Sequence, residues 1–209
     1  TKDPKWSILK EKVRENFITL FWNKERGYLS DCLHSNRGSA SAAEADDALR
    51  SNQLFAITLG LVDGEIAEAV LSSSEQLLIP GGIRSLADKA VDYPLPVYRN
   101  SHVINDQHNP YWGRYEGDED TRRKPAYHNG TAWSWPFPSY SEALFKLYGE
   151  RARKHAIAIL NSSRVLFDTG CLNQIPEVLD GSAPHRQRGC DAQAWGVTEA
   201  YRVWRMLKN

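Results

Sequence analysis

Apolar residues recur at three- and four-residue intervals over much of this chain, and that spacing is typical of amphipathic α-helices. In the first stretch Leu9, Val13 and Phe17 follow one another at four-residue intervals, and Pro4 precedes them as a helix-start residue. The spacing predicts six helices, at residues 5–22, 51–61, 65–78, 139–148, 150–167 and 193–207.

Stretches rich in Gly, Pro and polar residues separate the predicted helices. The longest covers roughly residues 80–130, and connections of that length are usually functional or disordered. Its many aromatic residues argue against disorder. Because no fixed-period repeat or low-complexity linker divides the chain, residues 1–209 are predicted to form a single all-α domain of stacked helical hairpins. The pattern alone does not distinguish a bundle from an arc of a helical toroid.

Charge and cysteine content narrow the range of partners. Lys plus Arg and Asp plus Glu number 26 each, so a formal net charge of zero favours neither nucleic acid nor an anionic membrane as partner. No apolar run approaches the ~20 residues of a membrane span, and the amino terminus lacks a signal-peptide pattern. Three scattered cysteines and six histidines show no metal-ligand spacing. We therefore predict a cytoplasmic protein with reduced thiols and no metal or other cofactor.

Aromatic residues are unusually prominent, with seven Trp and nine Tyr against a single Met. Any one of these rings is more simply explained as part of a core. Many of them, however, lie beside Gly, Pro, Asn and charged residues rather than on apolar helix faces. Rings in polar loops suit a wet cleft, where a flat apolar face meets a ligand rimmed with hydroxyl groups. A sugar is a ligand of this kind.

Three segments concentrate the amide, guanidinium, imidazole and ring groups that bind sugars. Before the second helix, N-capping explains the acids Asp46 and Asp47 but not the polar residues that follow them. A helix C-cap explains Gly81 and Gly82 but not the arginine after them. The third segment, residues 126–135, gathers such groups most densely. Once the capping residues are set aside, the candidate sugar-binding residues of these three segments are Arg50, Asn52, Gln53, Arg84, Tyr127, His128, Asn129, Trp133 and Trp135.

Glu177 stands out among the acids near the carboxyl end of the chain. It follows Pro176 and lies between Ile175 and Val178, so its backbone is stiff and its surroundings are partly apolar. A carboxylate in such a setting suits a general acid or base. A solvated loop acid is the plainer alternative, and the residues alone leave both interpretations open.

Taken in order, these segments resemble the carboxyl-terminal region of the bacterial and archaeal glycogen-debranching amylo-α-1,6-glucosidase family. The resemblance covers about residues 45–200, and the stretches 126–135 and 188–195 together are its most specific part. The matching stretches are Arg50-x-Asn52-Gln53-Leu54, Gly82-x-Arg84-Ser85-Leu86, Ala126-Tyr127-His128-Asn129-Gly130-Thr131-x-Trp133-x-Trp135, Glu177-x-x-Asp180-Gly181 and Arg188-Gly189-Cys190-x-Ala192-Gln193-Ala194-Trp195.

The resemblance implies an (α/α)6 toroid with its active site in loops at one end, acting on an α-glucan or oligosaccharide. It implies inverting hydrolysis of α-1,6-glucosidic branch points, in which a carboxylic acid protonates the glycosidic oxygen and a second carboxylate activates water. Glu177 falls at the position of that second carboxylate, the general base. The substrate-binding positions are Arg50, Asn52, Gln53, Arg84, Tyr127, His128, Asn129, Trp133, Trp135, Gln193 and Trp195.

The resemblance is incomplete in ways that bear on activity. Ser51 stands where family members often have Pro, and Pro125 stands where they often have Asp. A full toroid has twelve helices, of which six are predicted here, and the family's general acid lies upstream of the matching region. We therefore expect the carboxyl-terminal part of a ring, with little or no activity alone. Such a piece would self-associate through the apolar face left by the missing helices.

Two other functions stay open at this stage. A different (α/α)6 glycosidase, such as a trehalase-, oligosaccharide-glucosidase- or invertase-like enzyme, keeps the fold and changes the substrate. A non-catalytic carbohydrate-binding or regulatory helical domain keeps the sugar-binding groups. The last alternative differs from the others in that its affinity for sugars would survive the loss of Glu177.

Overall fold

The computed structural model describes residues 3–35, 38–39 and 42–209. Helices predominate in these ranges, with small sheets between them. The α-helices of the described residues are α1 (Pro4–Phe21), α2 (Leu54–Thr58), α3 (Gly64–Ser74), α4 (Lys124–Tyr127), α5 (Pro138–Tyr148), α6 (Arg153–Asn161) and α7 (Ala194–Lys208).

All six predicted helices are confirmed, although two of them are interrupted. The second begins as the 3₁₀ turn Ser51–Gln53 before α2. The fifth consists of α6 between two 3₁₀ segments, Gly149–Ala152 and Ser162–Leu166. Gly149, with φ of +60°, is the C-cap of α5 and so divides it from the fifth helix. The short α4 inside the long loop carried too few residues to be predicted.

The all-α prediction is incomplete, because short antiparallel strands join the loops. The largest sheet has five strands in the order β11-β10-β9-β6-β5, and three two-stranded ladders pair β1 with β2, β3 with β4, and β7 with β8. The strands are β1 (Trp22–Asn23), β2 (Tyr28–Leu29), β3 (Leu33–His34), β4 (Glu44–Ala45), β5 (Leu78–Ile79), β6 (Gly82–Arg84), β7 (Tyr98–Arg99), β8 (His102–Val103), β9 (Ala132–Trp133), β10 (Val178–Leu179) and β11 (Gln187–Arg188).

The turn between β5 and β6 corrects the interpretation of Gly81 and Gly82 as a helix C-cap. Leu78 pairs with Ile83 and Ile79 with Gly82, so Pro80 and Gly81 are the two central residues of a hairpin turn. Gly81 has φ of +74°, a conformation that favours glycine, and Pro is suited to the position before it. The helix instead ends through the 3₁₀ turn Glu75–Leu77.

The main core surrounds α5, which packs against α2, α3, α6 and α7. Its residues 138–144 are all buried, and Leu54, Val70 and Val203 from the neighbouring helices are fully buried with them. A smaller apolar cluster under the five-stranded sheet includes Ile79, Ala132, Leu166, Ile175 and Leu179. Ala200 of α7 packs against this cluster, so the sheet is in contact with the helical part of the structure.

Two helices keep large apolar side chains exposed. Trp6, Ile8 and Leu9 of α1 are about half exposed or more, as are Trp195 and Tyr201 of α7. Where exposed apolar side chains form a contiguous patch, the patch usually marks a contact with another protein surface. The predicted self-association stays a prediction, and α1 and α7 are the surfaces on which it would occur. Among the described helices, none combines the length and apolar character needed to cross a bilayer.

Glu142 links α5 to α7 and carries a stability prediction. Its carboxylate is 5% exposed and accepts hydrogen bonds from Lys146 Nζ at 2.8 Å and Arg202 Nη2 at 2.6 Å. Burial pushes the pKa of Glu142 upward, but the bonds from Arg202 and Lys146 outweigh it and lower that pKa below the ordinary glutamate value. The stabilisation is therefore fully present above the unfolded pKa of ~4.3 and is lost as the pH falls through the folded pKa.

Glu142→Gln should consequently lower the free energy of unfolding at pH 7 by about 1.5–3 kcal/mol. The difference from the unsubstituted protein should shrink in acid, because both proteins then carry a neutral side chain. Urea unfolding at pH 7 and below pH 4 measures this. Glu199→Gln is the matched control, since Glu199 binds the same Arg202 at the surface and should contribute less than about 1 kcal/mol. Equal losses from the two substitutions would contradict the assignment.

Candidate active site

The centre of the five-stranded sheet brings the predicted catalytic and binding segments together. Strand β9 lies between β6 and β10, with Trp133 opposite Val178 on one side and Ile83 on the other. The same register places Ser134 opposite Glu177, and the Ser134 amide donates to the Glu177 carbonyl oxygen at 3.3 Å. Segments that are far apart in the sequence are thus neighbours across a ladder of backbone hydrogen bonds.

The carboxylate of Glu177 is held by two donors. Its Oε1 accepts a short hydrogen bond from the Tyr127 hydroxyl, and its Oε2 accepts from the backbone amide of Cys190 at 3.1 Å. The Glu177 amide in turn donates to the Cys190 carbonyl oxygen at 2.8 Å. The side chain is partly buried. Each carboxylate oxygen still has a free lone pair, which is the state that a proton acceptor requires.

Gly189 allows this carboxylate to take its position. It directly follows β11, lies opposite Glu177 in the register of β10 and β11, and has φ of +68°. A Cβ at Gly189 would lie only 2.5 Å from Glu177 Oε2, so any side chain there would displace the carboxylate. Gly189 is therefore needed for two reasons: its backbone has a positive φ, and the Glu177 carboxylate occupies the space that a side chain would fill.

Tyr127 connects Glu177 to a cluster of rings. Its ring meets Trp133 edge-on at 4.4 Å and His128 at 5.0 Å, and His128 stacks on Trp133 at 5.5 Å. The Trp133 indole N–H donates to the Tyr127 carbonyl oxygen at 2.9 Å, which fixes the indole. Burial, together with the hydrogen bond to Glu177 and its charge, raises the pKa of Tyr127 above the ordinary tyrosine value. The hydroxyl therefore remains a donor at neutral pH.

A cavity of about 420 Å³ opens beside this ring cluster, within the ~300–1,000 Å³ typical of small-molecule sites. A second hollow of about 550 Å³ adjoins it and shares the walls formed by His34, Arg50 and Leu95. The predicted binding residues that line the first cavity are Arg50, Asn52, His128, Trp133 and Trp135, and Asn129 lines the second.

Arg50 forms the charged wall between the two hollows. Its Nη1 donates to the His128 carbonyl oxygen, its Nη2 donates to Asn129 Oδ1 at 2.9 Å, and its Nε lies 3.7 Å from Asp31 Oδ2. Burial lowers the pKa of Arg50, which still stays charged at neutral pH. Burial, and then the charge of Arg50, lowers the pKa of His128. A neutral imidazole can both donate to and accept from sugar hydroxyls.

Three stacked rings extend one wall of the cavity. Trp135 lies between Phe55, at 5.6 Å, and Trp195, at 3.9 Å, with the ring planes within 14° of parallel. Trp195 is 51% exposed, so the stack reaches the protein surface. Flat, partly exposed indoles of this kind suit the apolar faces of sugar rings.

The comparison with known families agrees with this geometry. A family model described as amylo-alpha-1,6-glucosidase matches residues 1–202. The chain belongs to that family. The family resemblance seen in the sequence is thereby confirmed, and a relation to glycogen-debranching glycosidases follows from it. No curated protein matches the chain.

Five of the eleven predicted binding residues line neither hollow in this member of the amylo-α-1,6-glucosidase family. Tyr127 packs on Trp133 and Trp195 stacks on Trp135, so these two contact residues that line the first cavity. The other three are Gln53, Arg84 and Gln193. Gln53 is buried, with its Oε1 accepting from the Leu29 amide and its Nε2 donating to Ser74 Oγ. Arg84 donates to the carbonyl oxygens of Gly181 and Gln76 and so braces the sheet. Gln193 precedes α7, where its amide donates to the Ile175 carbonyl oxygen. These residues support the scaffold around the cavity rather than lining it. Glu177 also lines neither hollow, but its carboxylate binds the hydroxyl of Tyr127, whose ring packs on the cavity-lining residues His128 and Trp133.

The cavity also contains residues that the sequence analysis missed, namely Asp31, His34 and Asp46. The interpretation of Asp46 and Asp47 as helix N-caps is wrong, because Arg50 precedes the 3₁₀ turn and provides no side-chain cap. Asp46 contacts His34 Nε2 at 3.2 Å, and Asp47 accepts from two backbone amides of a distant loop. An alternation of side chains between the two faces of a strand at residues 31–34 was the only sequence signal for these residues. A strand of two residues is too short for such an alternation to be recognised.

Proposed function

We propose that this chain carries the water-activating side of an inverting glycosidase site for α-1,6-glucosidic branch points in glycogen-like glucans. The observation that carries the proposal is the Glu177 carboxylate, oriented by the Tyr127 hydroxyl and the Cys190 amide. The Tyr127 ring in turn packs on His128 and Trp133, which line an aromatic, polar cavity. Membership of the amylo-α-1,6-glucosidase family supports the substrate class. The zero net charge is compatible with a neutral glucan.

In the proposed reaction Glu177 is the general base. A water molecule gives one proton to the carboxylate while its oxygen forms a bond to the anomeric carbon. The bond from that carbon to the glycosidic oxygen breaks, and the leaving oxygen takes a proton from a general acid. Attack from the face opposite the leaving group converts an α-linkage into β-glucose. We propose that the acid lies outside residues 1–209, as the family resemblance implies.

The cavity residues would hold the terminal glucose unit. Trp133 and Trp135 offer ring faces for stacking, and Arg50, Asn52 and His128 offer hydrogen bonds to hydroxyl groups. The adjoining hollow, with Asn129 in its wall, leaves room for further sugar units of a branch. This arrangement favours an oligosaccharide or polymer over a disaccharide such as trehalose.

We further propose that residues 1–209 form one domain, an arc of an (α/α)6 toroid. The packing of α5 against α2, α3, α6 and α7 supports a layered helical arrangement. The exposed apolar side chains of α1 and α7 support the presence of neighbouring helices or a second copy of the chain at those faces.

Product configuration tests the proposal. The full reading frame should be used, so that a general acid encoded outside residues 1–209 is present. With a branched limit dextrin, proton NMR at early times should show β-glucose as the first product. α-Glucose as the first product would reject inversion, and faster cleavage of linear glucans or trehalose would reject branch-point specificity. Oligosaccharide binding without hydrolysis, unchanged in Glu177→Gln, would instead identify a non-catalytic binding domain.

A further inference from the structure

The β3–β4 ladder places three metal-ligand side chains on one face of a strand pair. Leu33 pairs with Ala45, and the Asp46 amide donates to the Cys32 carbonyl oxygen at 3.1 Å, so Cys32 lies opposite Asp46. Cys32 and His34 are two residues apart on one strand, and such residues point to the same face. The backbone pairing alone therefore brings together a thiol, an imidazole and a carboxylate.

The distances between the ligand atoms fit a tetrahedral metal ion. His34 Nε2 and Asp46 Oδ2 are 3.2 Å apart, close to the separation of about 3.3 Å expected when both bind Zn²⁺ at ~2.0–2.1 Å. The donor atoms of Cys32, His34 and Asp46 all lie within 4.8 Å of one another. A Zn–S bond of ~2.3 Å requires the sulfur about 3.6 Å from the other two donors. Cys32 is exposed, so its side chain can make that small movement.

The surrounding groups hold two of the three ligands in place. Asp46 is 3% exposed, and its Oδ1 accepts from the backbone amides of Asp31 and Ala48, which leaves Oδ2 for the metal. The imidazole of His34 stacks on the ring of Tyr93 at 4.3 Å, with the planes 19° apart. Hydrogen bonds that orient a ligating carboxylate, like those to Asp46 Oδ1, are characteristic of metal sites.

The local charge also fits a divalent cation. A thiolate and a carboxylate bring two negative charges that Zn²⁺ neutralises, while the nearby Asp31 faces Arg50. Arg50 donates hydrogen bonds to His128, Asn129 and Ser85 rather than to Cys32, His34 or Asp46, although its charge is close enough to interact with Asp46 and Cys32. All three donor residues line the 420 Å³ cavity, so the fourth coordination position faces that space.

We propose that Cys32, His34 and Asp46 form a binding site for a Zn²⁺-class divalent metal ion in the wall of the cavity. Thiolate and imidazole ligands select zinc over magnesium or calcium, and three protein ligands with one open position are the usual set of an accessible zinc site. The sequence analysis predicted no metal site, because the spacing of these residues does not reveal the strand pairing that brings them together. The inference does not depend on the proposed glycosidase function.

Cobalt substitution tests the site directly. Protein stripped with a chelator and titrated with Co²⁺ should bind one ion at this site, with a thiolate-to-cobalt charge-transfer band that Zn²⁺ then abolishes. Cys32→Ser should remove the band and weaken Zn²⁺ binding by more than about 100-fold, since loss of an outer-shell partner alone costs 10–100-fold. His34→Gln should weaken binding to a similar extent while Cys32 remains present.

Cys171→Ser is the matched control, because Cys171 is also exposed and lies far along the chain from His34. It should bind Co²⁺ and Zn²⁺ as the unsubstituted protein does. Far-ultraviolet circular dichroism establishes that each variant is folded. A charge-transfer band that persists in Cys32→Ser, or the absence of any such band in the unsubstituted protein, would overturn the inference.

Discussion

Glu177→Ala is expected to lower kcat for α-1,6-glucosidic hydrolysis by ~10²–10⁴-fold, the range that a positioned general base contributes. KM should change little, since the cavity is lined by Arg50, Asn52 and the tryptophans rather than by Glu177. Glucose release from a branched limit dextrin by the full reading frame measures both constants. The substitution shortens a partly buried side chain beside Gly189 and adds no bulk, so the fold should be retained.

Azide distinguishes loss of a base from loss of binding or structure. Azide attacks the anomeric carbon without giving up a proton, so it needs no base, and the space left by the carboxylate admits it. Activity of Glu177→Ala should therefore recover with azide, and the product should be β-glucosyl azide. Near-normal hydrolysis by the variant, or a rate that azide does not change, would contradict the assignment of Glu177.

Two other variants complete that experiment. Tyr127→Phe removes the hydroxyl that donates to Glu177 Oε1, and a hydrogen bond to a charged group is worth ~1.5–3 kcal/mol, or about 10–100-fold in rate. Azide should not rescue it, because the base is still present. Asp191→Asn alters an exposed acid next to Cys190 and should leave kcat unchanged.

The helices of this protein could be predicted from the sequence because apolar residues recur in each at three- and four-residue spacing, even in α1, where no residue is fully buried. The periodic pattern over residues 5–22 and 139–148 agrees with α1 and α5 to within one residue at each end. The strands could not be predicted, since β9, β10 and β11 have two residues each and lie in loops rich in Gly and Pro. Their pairing depends on contacts between distant segments, which periodicity does not report.

The candidate site shows the same division. Local composition singled out the densely grouped residues His128 and Trp133, and both line the cavity; their role in binding stays a prediction. Gln53 and Arg84 lie in stretches that were also predicted to bind sugars, but their side chains bind Ser74 and the Gly181 carbonyl oxygen instead. The direction of these side chains cannot be predicted from the local sequence. Asp46 was missed for the converse reason, since its partner His34 is reached only across a strand ladder.

Asp180 is expected to show the largest stability effect of the residues around the site. It is fully buried, and its carboxylate accepts from the Tyr115 amide at 2.8 Å and from Arg188 Nε and Nη2 at 3.0–3.2 Å. These bonds raise the pKa of Arg188. Asp180→Ala would leave the Arg188 guanidinium without its main partner, and breaking such a buried pair costs ~3–5 kcal/mol. For a chain of this size the Tm should fall by ~6–20 °C.

The effect should extend to catalysis, because Asp180 holds Tyr115, whose ring packs on that of Tyr127 at 5.5 Å. Calorimetry of Asp180→Ala measures the Tm, with Glu116→Gln as the matched control. Glu116 binds the same Arg188 from a half-exposed position and should contribute less than about 1 kcal/mol.

The double variant Asp180→Leu, Arg188→Met should recover much of the lost stability, since replacing both charges with apolar groups removes the unpaired guanidinium. A Tm for Asp180→Ala within about 2 °C of the unsubstituted protein would show that water, not Asp180, satisfies Arg188.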